Sequence, residues 1–215
     1  MTLARTGAIA AVVAVVLGAC SSESGQPQGL AGGPSSPEAT TTTPSAKDSP
    51  TAEEPEPTFT QPYVPGDPSV IAIPDQFPVE TDLDLDAQEQ EVADALGHAM
   101  AAWDAMLFGV DAAEAGIETW FGRALLVSLR DYAAESQQIE RVNVGTPTRI
   151  VLHGVEVQEQ GATIAVCLYT EGWVQYIGGE PGEPVDEMTA YRMPVEHDGE
   201  NWRFTDASTA DELDC

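Results

Sequence analysis

The side chains best suited to covalent or metal chemistry in this chain are three cysteines, Cys20, Cys167 and Cys215, and three histidines, His98, His153 and His197. A thiolate is a nucleophile, a soft-metal ligand or half of a disulfide, and an imidazole is a base or a ligand. Spacing decides among these. The chain has no His-x-x-x-His or Cys-x-x-Cys pair, no Gly-x-Ser-x-Gly elbow and no glycine-rich phosphate loop, so metal and nucleophilic catalysis have no motif to rest on. The sequence assigns no catalytic residue, no metal and no cofactor. His98 reads as a surface residue near Glu91 and Asp94, His153 precedes a glycine and has no assigned face, and His197 sits in a hairpin turn.

The first cysteine is explained by what precedes it. "MTLARTGAIAAVVAVVLGACSS" has a short start with Arg5, an apolar run from Ala8 to Leu17, and small residues leading to Cys20. The run is too short for a permanent bilayer span and has the layout of a secretory signal. Leu17-Gly18-Ala19-Cys20 resembles the bacterial lipobox, which implies cleavage after Ala19 and a diacylated Cys20 as the first mature residue. Two or three acyl chains pass the threshold for stable anchoring. The expected location is the outer face of the cytoplasmic membrane, in the cell envelope.

Twelve of the 16 prolines lie between residues 21 and 80, in a stretch rich in Ser, Thr and Glu. Such a composition buries too little apolar surface to offset the entropy of ordering. Residues 20–80 therefore read as a disordered tether, reaching roughly 40 Å over fifty flexible residues. Near its end Val70, Ile71, Ile73 and Phe77 fall close together, and the segment 69–80 is expected to dock on the domain as an arm, because apolar residues at that density are wasted in solvent. Residues 81–215 suffice for one domain with a single core. Without Arg5 the chain holds 36 acids against seven bases, a net of −29; from residue 81 onward it is 27 acids against six arginines, a net of −21. That charge repels phosphate backbones and anionic lipid heads, which excludes nucleic acid as a partner. Solubility accounts for it; a basic partner or a cationic ligand is compatible with that charge but not demanded by it.

The domain opens with a helix. In "DLDLDAQEQEVADALGHAMAAWDAMLFG", Val92, Leu96, Ala99, Met100, Trp103 and Leu107 form one stripe of a 3.6-residue repeat. Asp86 with Glu89 three residues on makes a capping pair, and Gly109 closes the helix. Asp82, Asp84 and Asp86 alternate as in a calcium loop, but the sixth and twelfth positions are Ala87 and Ala93, which rules that reading out. A short turn follows in "DAAEAGIETWFG", then a helix in "RALLVSLRDYAAESQQIE" with Leu125, Leu126, Leu129, Tyr132 and Ala133 on one face. Past residue 141 the period becomes two, and "RVNV", "TRIVLHGVEVQ", "ATIAVCLYTEGWVQYI", "EMTAYRMPVEH" and "NWRFTDAS" read as strands. Gly154 and Gly172 suggest bulges, "GGEPGEP" a long hairpin loop, and Asp198-Gly199 a tight turn.

Helices followed by antiparallel strands predict an α+β fold in which a curved antiparallel sheet wraps the N-terminal helices. By this element order, by "VCLYTEGW" and by the closing "YRMPVEHDGENWRFTDAS", residues 82–215 resemble the nuclear transport factor 2-like, or SnoaL-like, superfamily, and more narrowly actinobacterial lipoproteins that carry such a domain on a Thr/Pro-rich tether. The resemblance implies a cone with a cavity between helices and sheet. The aromatics expected to line it are Trp103, Trp120, Tyr132, Tyr169, Trp173 and Tyr191, with Arg149 or Arg192 available to an anion; most of these rings serve equally well as core. The superfamily includes cofactor-free enzymes that use an Asp, or a Tyr-Asp pair, in an apolar pocket. Asp104 beside Trp103 and Asp131 beside Tyr132 are the matching positions, yet Asp104 lies on the flank of the helix stripe and Asp131 reads as a solvated acid, so neither is assigned.

With Cys20 acylated, Cys167 and Cys215 are the remaining thiols in an oxidising compartment. Cys167 alternates with the apolar Val166 and Leu168 and points away from the more apolar face. A tail crossing that outer face would carry Cys215 to it and close a 49-residue loop, worth about 4 kcal/mol on the chain-entropy account. The alternatives are two free thiols or an intermolecular bridge. Three functions remain open: a non-catalytic envelope lipoprotein that binds a protein partner or a small apolar ligand, a cofactor-free SnoaL-like enzyme of the proton-transfer or isomerase type, and a structural or dimerisation module of an envelope complex, the chain being monomer or homodimer. A pocket acid with a strongly raised pKa would favour the enzyme.

Overall fold

The computed structural model describes residues 58–66, 70–72, 74–159 and 161–215. The signal expected at 1–19, Cys20 and the tether up to residue 57 lie outside these residues. The elements run β1 (Thr58–Thr60), β2 (Val70–Ala72), β3 (Val79–Glu80), α1 (Ala87–Leu107), α2 (Ile117–Trp120), α3 (Arg123–Gln138), β4 (Arg141–Val144), β5 (Arg149–Gln158), β6 (Gly161–Ile177), β7 (Glu180–Pro181), β8 (Val185–His197), β9 (Trp202–Phe204) and β10 (Ser208–Thr209). This is an α+β fold. No helix among the described residues is long and apolar enough to cross a membrane.

Helix α1 starts where its capping chemistry puts it. The Asp86 side chain accepts from the backbone N–H of Gln88 and Glu89, and the Glu89 carboxylate accepts from the Asp86 N–H at 2.8 Å, satisfying three otherwise orphaned donors. The stripe from Val92 through Met100 is buried against the sheet. The opposite side of the helix is buried too, at Ala93, Ala101 and Ala105, because the segment before residue 81 covers it. There the Phe77 N–H donates to the Gly97 carbonyl at 3.2 Å and the Phe77 ring is buried. Farther up the chain, the amide of buried Gln61 donates to the Asn143 carbonyl at 2.8 Å. The arm expected at 69–80 therefore holds the domain through Phe77, and a second contact lies upstream of it at Gln61, in a stretch that composition assigns to the tether.

The sheet is organised by β6. Its first half pairs with β5 and its far end with β4 on one side, and β8 and then β7 lie on the other. Beyond β8 come β9 and β10. The expectation of a wholly antiparallel sheet is corrected at one edge, where β3 pairs with β5 in parallel, Val79 opposite Ile150. Three helices and β4 lie between β3 and β5 in the chain, so no hairpin joins the two strands and dictates an antiparallel direction there. The sheet is therefore mixed.

The register shifts at His153 in β5 and at Glu171-Gly172 in β6, as the two glycines suggested, and such bulges bend a strand. The "GGEPGEP" segment corrects its expectation. It opens with a two-residue turn at Gly178 and Gly179, both at positive φ (58° and 79°), which lets β7 fold straight back on β6; two consecutive left-handed residues are what a tight hairpin needs and what glycine supplies without strain.

Candidate functional site

A cavity of about 180 Å³ lies between α1 and the face of the sheet that it packs on. Helix α1 contributes Met100, Trp103, Asp104 and Leu107 to its wall, β6 contributes Leu168, Thr170 and Trp173, and β8 contributes Glu187, Thr189, Tyr191 and Met193. The side chains reach it because of two periodicities. Residues 100, 103, 104 and 107 share one helical face, and alternate residues of β6 and β8 share one sheet face. The bulge at Glu171-Gly172 is needed to return Trp173 to the same face as Thr170, since without it residues 170 and 173 would point to opposite sides.

Asp104 is the one buried acid of this cavity and is only 2% exposed. Its Oδ2 accepts the Thr148 backbone N–H at 2.7 Å and its Oδ1 accepts the Thr148 hydroxyl at 2.9 Å. Among the described residues no salt bridge reaches it. Burial pushes its pKa up from 3.8 to about 7, against the two Thr148 hydrogen bonds, which pull it down. The larger effect wins because desolvation penalises a whole charge, whereas one neighbouring residue supplies only two dipoles. Tyr191 on the facing strand is also raised, first by burial and then by the negative field of Glu187. The arrangement offers an apolar chamber with a single interior acid near half-ionisation at neutral pH.

Of the six aromatics expected in the cavity, Trp103, Trp173 and Tyr191 line it. Trp173 is held by its indole N–H, which donates to the Thr146 carbonyl at 2.7 Å, and by the Phe108 ring at 5.1 Å. The other three are elsewhere. Trp120 lies on the far side of α1, stacked on His98 with ring centres 4.7 Å apart. Tyr132 receives the Arg141 guanidinium at 4.7 Å over its ring, on α3. Tyr169 alternates to the outer face of β6, where Arg149 stacks on it at 3.9 Å.

The two arginines considered for an anion are likewise outside, Arg149 paired with Glu80 and Arg192 with Glu212. His98 is not a surface residue as expected. It is half-buried, and its Nδ1–H donates to the Asp75 carbonyl at 2.7 Å, because the arm covers the helix face that the stripe alone leaves open. His197 stands edge-on to Trp202. Asp131 is exposed.

The outer face of the sheet carries the cysteines. Cys167 is fully buried there and joined to Cys215 by a disulfide, with Cα atoms 6.0 Å apart. The tail arrives by pairing: β10 adds to β8, and the Ala210 N–H donates to the carbonyl of Ala190, the residue directly opposite Cys167. His153, displaced outward by the β5 bulge, completes a cluster with the two sulfurs within 4.8 Å.

No protein-family model matches the chain, and no curated protein matches it by sequence. Among solved structures, the crystal structure of the intermembrane space region of chloroplast protein ARC6 is similar at a TM-score of 0.45 and 19% identity, over 59% of this chain and 98% of that one.

Proposed function

We propose that the chain is a lipoprotein anchored through an acylated Cys20 to the outer face of the cytoplasmic membrane, carrying a nuclear transport factor 2-like, cone-shaped domain that binds a small apolar ligand without transforming it. The observation that carries this reading is the cavity itself. It is a concave, mainly apolar surface open to water on one side, and a small apolar ligand seated there would remove that surface from water. Its wall combines Met100, Leu107, Leu168, Met193 and three aromatic rings with a few polar side chains, of which Asp104 is the buried acid, the lining expected of a small-molecule site.

The test is native mass spectrometry on the full protein, extracted gently from its own membranes in detergent. One small molecule retained per chain supports the reading. A protein partner retained without a small molecule would make the domain a tethered adaptor and overturn it. The anchor is tested separately: Cys20→Ala should abolish the acyl mass increment and move the protein into the aqueous phase on detergent partition.

The raised pKa of Asp104 favours one second reading, a cofactor-free proton-transfer enzyme in which the carboxylate removes a proton from a bound carbon acid. That reading requires turnover to vanish in Asp104→Asn while ligand affinity persists. Binding is preferred because the cavity supplies one buried acid, while the other titratable groups in its wall, Glu187 and Tyr191, are exposed or only half-buried.

A further inference from the structure

The charged lining of the cavity is all of one sign. Asp104 and Glu187 are its charged residues, and no lysine, arginine or histidine contributes to its wall. A buried carboxylate ordinarily has a cationic partner, because hydrogen bonds from neutral groups replace only part of its lost hydration. Asp104 has the two donors of Thr148 and no salt bridge among the described residues. Each of its oxygens accepts one hydrogen bond there and retains a further lone pair. Beside it in the same wall are Trp103, Trp173 and Tyr191, three rings whose electron-rich faces attract a cation.

We propose that the ligand is a small organic ammonium ion, with its charged nitrogen against the Asp104 carboxylate and one ring-sized apolar body among Met100, Leu107, Leu168 and Met193. This rests on the reading of the cavity as a ligand site and adds the chemical class of the ligand. The size agrees, since an engineered apolar cavity of about 150 Å³ takes benzene, so about 180 Å³ holds one ring and a short amine arm. Exposed Glu187 adds a second negative charge to the wall. The net charge of −21 from residue 81 onward, 27 acids against six arginines, draws cations towards the domain and repels anions.

Charge on the protein side is set by few groups. Among the residues facing the cavity, α1 presents Asp104, β8 presents Glu187 and Tyr191, and Leu168, Thr170 and Trp173 of β6 and Thr148 do not titrate in the accessible range. The ammonium should therefore bind better as pH rises and Asp104 ionises, while a neutral ligand should not.

The experiment compares benzylamine with benzyl alcohol by calorimetric titration of the full chain in detergent at pH 5 and pH 8. Both donate a hydrogen bond and have the same body; only the first is cationic. The expected result is at least ten-fold tighter binding of benzylamine at pH 8, a preference that shrinks several-fold at pH 5 and disappears in Asp104→Asn. Equal affinity of the two at pH 8 would overturn the ammonium proposal and leave the apolar cavity standing. Failure of both to bind would overturn the ligand-site reading with it. If Asp104→Asn does not fold, the pH dependence in the unaltered protein decides, and a preference that is flat between pH 5 and pH 8 overturns the proposal.

Discussion

Replacing Asp104 by asparagine should change the sign of its effect on stability between acid and alkaline pH. The folded pKa of Asp104, about 7, lies above its unfolded value of 3.8. Between those values the folded chain keeps a proton that the unfolded chain has released, so stability falls as pH rises through that window and levels off above 7. Below 3.8 both states are protonated and the group contributes nothing. A shift of roughly three units corresponds to about 4 kcal/mol lost in full by pH 8.

Asparagine has nearly the same shape and cannot ionise, so it escapes that loss. Against the protonated carboxyl it replaces the hydroxyl, a weak second acceptor for the Thr148 donors, by an NH2 that cannot accept, which costs about 1 kcal/mol at every pH. The variant should be about 1 kcal/mol less stable than the unaltered protein at pH 3, where both states keep the proton, and about 3 kcal/mol more stable at pH 8. Urea denaturation at the two pH values measures this directly, followed by tryptophan fluorescence because Trp103 is the neighbouring residue. The self-repulsion of the other acids cancels in the difference between the two proteins. A variant less stable by the same amount at both pH values would show that Asp104 is not desolvated, and the reasoning about the site would fail with it.

Three further outcomes follow from the geometry. The Cys167–Cys215 bond joins residues 48 apart, and Cys215→Ser should lower stability by about 4 kcal/mol on the chain-entropy account, read as a urea midpoint that reducing agent no longer moves. In Gly97→Ala the new Cβ would lie 2.5 Å from the Phe77 backbone oxygen; despite a gain of about 1 kcal/mol in helix propensity, the variant should be destabilised by about 1–3 kcal/mol and cleaved faster between residues 61 and 77 in limited proteolysis. Trp120→Ala should leave ligand affinity unchanged while Trp103→Ala weakens it several-fold in the same titration, because the first ring stacks on His98 behind the helix and only the second lines the cavity; equal losses would place the ligand elsewhere.

Much of the fold is legible in the residues because its signals are local. The Asp86–Glu89 cap, the stripe from Val92 to Leu107 and the period-two runs of β5, β6 and β8 depend on neighbours within one or two turns, and each element forms where its pattern lies. The outer-face position of Cys167 follows from alternation alone. What the pattern omits is long-range. The arm covers the back of α1 through contacts spanning twenty residues or more, such as Phe77 to Gly97 and Asp75 to His98, so His98, polar and off the stripe, looks solvated in the sequence and is half-buried in the structure. Gly97, in the middle of a helix where glycine is unfavourable, is the local sign of that close approach.

The candidate site is less legible for a related reason. An acid on the flank of an amphipathic stripe is usually solvated, and nothing adjacent to Asp104 says otherwise. Its character is set by Thr148, 44 residues away, which orients the carboxylate, and by β8, which closes the chamber with Tyr191 and Met193. Three of the six aromatics face away for equally distant causes: Tyr169 by strand alternation, Tyr132 because α3 turns it towards Arg141, and Trp120 because it caps the arm side of α1. A ring's position along the chain fixes its face within an element, but whether that face meets a cavity depends on the partner element. The one sequence feature that reaches across this distance is the pair of bulges. By setting Trp173 on the same face as Thr170 and Leu168, the β6 bulge makes a strand that would otherwise turn Trp173 to the outside into the wall of a chamber with a single buried acid.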